Sequence, residues 1–87
     1  MIYILCMDVR QIRYFIAVAQ EGSISKAAKR LGMTQPPLSA SMATLEKELG
    51  VRLLERTPRG IRPTAAGDHL FERGTRLVRD MQDLTRE

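Results

Sequence analysis

A chain of 87 residues supports one small domain, whose core is thin enough that tight packing or another chain must supplement it. Apolar residues make up 44% and charged residues 28%, a globular composition, and 14 Lys and Arg against 10 Asp and Glu leave a net charge of +4. No Trp, two Phe and two Tyr argue against a base-stacking platform, one Cys excludes an internal disulfide, and one His leaves no nitrogen–sulfur metal cluster.

The chain opens on the apolar run MIYILCM, too short to span a bilayer and not preceded by the basic segment of a signal peptide. Residues 1–6 therefore read as an extension ahead of a domain that starts at Met7, and the protein as cytoplasmic, with no membrane partner. In residues 8–20, Ile12, Phe15, Ile16 and Ala19 recur at helical spacing and form one apolar face, and Gly22 stops the helix. Ser23 caps a short second helix over 24–31, with Ala27, Ala28 and Leu31 inward and Lys26, Lys29 and Arg30 outward. The alanines are small enough for a close helix crossing.

Thr34 is the next cap candidate, followed by Pro36 and Pro37 at first-turn positions, where a missing N–H is harmless. The third helix runs to Leu49, with Leu38, Met42, Leu45 and Leu49 as its core stripe and Pro36, Ala40, Ala43 and Lys47 opposite. Two helices joined by Gly32-Met33-Thr34 make a helix-turn-helix candidate. Residues 51–56 and 61–64 are β-prone and flank Thr57-Pro58-Arg59-Gly60, a type I turn signal, so they predict a two-stranded wing with Arg59 near its tip. Pro63 confines its strand to an edge or an end. Thr64 caps a last helix over 65–87, where Leu70, Gly74, Leu77, Met81 and Leu84 form a short heptad seam. Its first part faces the domain, and the part after Gly74 faces a second copy, with Gly74 allowing close backbone approach. The fold class is mainly α: a winged helix-turn-helix over 7–64, with a three-helix core and a two-stranded wing, and a linker and dimerisation helix over 65–87.

Charge is unevenly placed. Residues 1–23 are neutral, residues 63–87 carry a net −1, and residues 24–62 hold eight basic against three acidic side chains, a net +5. A basic patch on a helix-turn-helix suits duplex DNA. The first turns of the third helix supply the candidates: Gln35 for a base edge, Pro36 and Pro37 for thymine methyls, and Thr34, Ser39 and Ser41 for phosphates, helped by the helix N-terminus. Arg59 is placed for a narrow minor groove, and Lys26, Arg56 and Arg62 for phosphates. Ala40 reads little, so DNA shape carries much of the selectivity. Catalysis is disfavoured: no general base accompanies Ser39, Ser41 or Cys6, the six glycines form no phosphate loop, and no cofactor is expected. The alternative function is a winged-helix interaction module that dimerises without specific DNA binding.

The segments YFIAVAQEGSISKAAKRL, TQPPLS, LEKELGVRLLER and TAAG, in this order and spacing, resemble the N-terminal DNA-binding domain of LysR-type transcriptional regulators over residues 7–87. The wording of SISKAAKRL and QPPLS looks most like the branch that regulates aromatic-compound catabolism. The resemblance implies a bacterial transcription regulator that binds an operator of two half-sites as a homodimer, with higher oligomers in a longer protein. It places Gln35, Pro36, Pro37 and Ser39 at family DNA contacts, Arg59 at the wing arginine, and the last helix at the dimer linker. Ala40 departs from the family, where an arginine often follows the serine. Family members usually continue into an effector-binding domain of periplasmic-binding-protein type, which this sequence does not include, so it reads as a separated DNA-binding domain or a regulator without a sensor.

Overall fold

The computed structural model describes residues 7–86, and the expected N-terminal extension lies outside the described residues. Four helices and one hairpin follow in order: α1 (Val9–Glu21), α2 (Ile24–Leu31), α3 (Gln35–Leu49), β1 (Leu54–Thr57), β2 (Gly60–Pro63) and α4 (Ala65–Leu84). Local chemistry fixes each helix start. The Asp8 carboxylate accepts from the Gln11 amide while the Gln11 side chain accepts from the Asp8 amide, a closed capping box on α1. The Ser23 hydroxyl accepts from the Lys26 amide at 3.1 Å and starts α2.

The core gathers around α1, which touches α2, α3, α4 and β2. Phe15, Val18, Leu38, Leu45 and Leu53 are fully buried there, and each such side chain contributes about 1.5–3 kcal/mol. Because neighbours surround α1, its burial exceeds the single expected face: Ala17 and Val18 are buried, while Ile16 and Ala19 are only half-buried. The stripe on α3 ends one turn early, since Leu49 is 37% exposed where the helix leaves the core.

The wing is an antiparallel pair in which Leu54 faces Pro63 and Thr57 faces Gly60, with Pro58 and Arg59 between them. Its first strand starts at Leu54 rather than at residue 51. The cause is Glu46 on α3, whose Oε2 accepts from the Leu53 amide at 2.7 Å and the Leu54 amide at 3.0 Å. A carboxylate thus holds the backbone where a strand partner would otherwise be needed, and clips the end of α3 to the wing. After β2 the Thr64 hydroxyl donates to the Arg52 carbonyl at 2.6 Å and accepts from the Gly67 amide at 3.1 Å, which starts α4. Gly67 is buried against the Leu53 carbonyl, so close that a Cβ would overlap it.

Candidate nucleic-acid interface

The exposed end of α3 is set by an unusual cap. Thr34 has the extended backbone of an N-cap, yet its side chain makes no cap hydrogen bond. An N-cap oxygen accepts from the second or third helical amide, and here those residues are Pro36 and Pro37, which have none. The Thr34 hydroxyl is therefore left for an external partner. The same prolines remove two of the four free N–H groups of a helix start, so the help expected from this helix N-terminus is left to its dipole and its two remaining amides.

About 100° per residue separates the side chains of α3 into three strips. Pro36, Ala40, Ala43 and Lys47 are exposed on the outward side, opposite buried Leu38, Met42 and Leu45. Gln35 and Ser39 occupy the wing-side flank. They line a polar cleft of about 400 Å³ whose other walls are Ser23 and Ser25 at the start of α2 and Arg56, Thr57 and Pro58 of the wing. Pro37 and Ser41 occupy the other flank, in a separate hollow beside Asp8, Gln11 and Tyr14. Thus Gln35, Ser39 and Arg56 come together, whereas Ser41 is half-buried and turned away from them.

Arg59 stands at the wing tip, as its turn signal predicts. Its amide donates to the Thr57 hydroxyl at 3.2 Å, and that hydroxyl donates to the Gly60 carbonyl at 3.3 Å, so one threonine braces the tip. The central cations divide into two sets. Arg30 pairs with Glu21 at 3.2 Å, Arg62 pairs across the wing with Glu55 at 2.9 Å, and Arg52 donates to the Leu54 carbonyl at 3.4 Å. Among the described residues, Lys26, Lys29, Lys47, Arg56 and Arg59 have no carboxylate partner. All five are exposed. Arg62, expected at a phosphate, thus has a carboxylate beside it that offsets its charge.

Sequence reading missed Ser25 in the cleft, Lys29 beside Thr34 and Gln35, Thr57 in the tip and Glu46 behind the wing. Glu46 carried half a signal, an acidic side chain on the wing-side flank of a helix in an otherwise basic segment. The others read as ordinary surface residues until the elements are brought together.

The helix seam needs correction. Gly74 is buried under α1 of its own chain, where a Cβ would lie 2.8 Å from Ile12 Cγ2, so the close approach it permits is intramolecular. Leu70 is half-buried and packs on the core. Beyond them Leu77, Met81 and Leu84 are 44%, 41% and 79% exposed, an apolar strip on the far half of α4. Beside the strip an apolar crevice of about 520 Å³ runs between α4 and α1, lined by Val9, Tyr14, Leu31, Val78 and Met81.

Comparison with known proteins places these features in a family. The family model described as "Bacterial regulatory helix-turn-helix protein, lysR family" matches residues 9–68. The chain is 53% identical over 72 residues to the HTH-type transcriptional regulator ClcR of Pseudomonas putida, covering 83% of this chain and 24% of that protein. It is 56% identical over 62 residues to the regulator AlsR of Bacillus subtilis (strain 168), covering 71% of this chain and 20% of that protein. It therefore spans about a quarter or less of the length of these relatives. Similar solved structures include the CbnR_DBD-DNA complex, with a TM-score of 0.84, 48% identity and 88% of both chains covered. Another is the BenM_DBD/catB site 1 DNA complex, with a TM-score of 0.87, 40% identity, and 90% of this chain and 88% of that one covered. With the family model covering most of its length and a winged helix-turn-helix built from the matched residues, the chain belongs to the lysR family of bacterial regulatory helix-turn-helix proteins.

Proposed function

We propose that this chain binds double-stranded DNA sequence-specifically as the DNA-binding domain of a cytoplasmic transcription regulator. The start of α3 enters the major groove and Arg59 enters the adjacent minor groove. Gln35 reads a base edge, Pro36 and Pro37 pack on thymine methyls, and Thr34, Ser39, Ser41, Lys26 and Arg56 hold phosphates, with Arg62 secondary. The observation that carries this reading is the cleft in which Gln35 and Ser39 of α3 face Arg56 of the wing. It sets a base-reading side chain and an unpaired cation side by side on one polar surface. The DNA complexes of the similar CbnR and BenM domains support it.

The exposed strip Leu77, Met81 and Leu84 serves a second copy, so the unit on DNA is a homodimer spanning two half-sites, and a longer protein can assemble further. None of the helices among the described residues is long and apolar enough to cross a membrane. Selection of bound duplexes from a random pool tests the proposal. The expected product is a two-fold related pair of half-sites. Recovery of no duplex, with self-association retained, would replace DNA binding by a protein-interaction role.

A further inference from the structure

The outer edge of the wing is not free. The Ile61 amide, which does not serve the pairing with β1, donates to the Gly22 carbonyl at 3.0 Å. Gly60 lies so close to that same carbonyl that a Cβ would overlap its oxygen, and its φ of 137° is closed to most side chains. From the other side, a Cβ on Gly22 would sit 3.6 Å from the Ile61 carbonyl oxygen. Gly22 is the left-handed C-cap of α1, with φ 68°, and Ser23 beside it is the cap of α2. One peptide therefore joins the wing to the turn from which the helix-turn-helix begins.

We propose that this contact between the Gly22 and Gly60 backbones is the positioning device of the wing, and that Gly22 and Gly60 are positioning residues for Arg59. The inference rests on the reading that Arg59 enters a minor groove. A two-stranded hairpin is marginal in water and its tip would pivot about its base. Here the anchor lies at Gly60 and Ile61, one and two residues after Arg59, at the tip end of β2. The Cα from which the guanidinium extends is thus held against the α1–α2 turn, at a set place relative to Gln35. A loosely held arginine still attracts phosphates, but it no longer distinguishes a narrow groove from a wide one, because that choice requires a fixed approach. The clip predicts that loss of the contact removes flank selectivity and leaves base reading by α3 in place.

The test uses the whole chain and two duplexes with one half-site sequence, flanked by A·T-rich or G·C-rich steps. Gly60→Ala should lose the preference for A·T flanks as Arg59→Ala does, while a single base change opposite Gln35 still weakens binding. Gly50→Ala is the control, since Gly50 also has a positive φ (70°) but nothing within 4 Å of an added Cβ, and it should retain both properties. A folded Gly60→Ala protein that keeps its flank preference overturns the proposal. Should that variant not fold, hydrogen exchange of the unmodified chain decides. The Ile61 amide should exchange as slowly as the hydrogen-bonded amides of the hairpin, and rapid exchange overturns the clip. If Arg59→Ala itself loses affinity equally on both flanks, the minor-groove reading fails first and the positioning role falls with it.

Discussion

Gln35 and Arg56 share a cleft but are asked for different work, and their substitutions separate it. Gln35→Ala should relax preference at one base position per half-site by about 1–3 kcal/mol, read from competition among single-base variants. Arg56→Ala should weaken binding uniformly across sequences and reduce the slope of log affinity against log salt by about 1. Arg62→Ala should change that slope less, because Glu55 already sits 2.9 Å from its guanidinium. The candidate contacts at the head of α3 were legible in sequence because caps, prolines and helical periodicity are local properties. The separation of Ser41 from Ser39 was legible in principle from the same periodicity. The pairing of Arg62 was not, since it depends on which residue of β1 stands across from it.

Between elements, the chain relies on polar and backbone clips more than on its apolar pattern suggests. Glu46 ties α3 to the wing through two amides, and Glu46→Ala should cost about 1.5–3 kcal/mol in urea unfolding, with Glu46→Gln costing less because it keeps an acceptor. Gly67→Ala should cost about 3 kcal/mol by the same measurement, since a side chain there meets the Leu53 backbone rather than a movable group. The elements themselves were well predicted, because Gly22, Gly32 and Gly50 end helices and Thr57 to Gly60 turns the wing. What escaped prediction was contact between backbones. A glycine required by its neighbour does not show in sequence which neighbour that is, and Gly74 read as a surface for a second copy for that reason.

At the scale of the whole molecule, charge and apolar surface are assigned to different ends. Among the described residues, Arg56 lines the cleft, Arg59 stands at the wing tip and Lys29 lies beside Thr34 and Gln35, all without a carboxylate partner, whereas exposed Leu77, Met81 and Leu84 stand on the far half of α4. Leu77→Glu should shift sedimentation toward monomer and weaken binding to paired half-sites, while affinity for one half-site is kept. In chain terms the +5 segment was enough to mark the side proposed to face DNA, since charge summed over a segment survives folding even where single pairs do not. Finally, α4 is seated rather than hinged: Gly67 meets Leu53 and Gly74 meets Ile12, so its axis is fixed to the domain that carries α3. In the proposed homodimer, two such domains joined along that helix cannot swivel separately. A pair of sites moved off the natural interval must accordingly be met by curvature of the nucleic acid, and stiff intervening sequence becomes an energetic barrier in its own right.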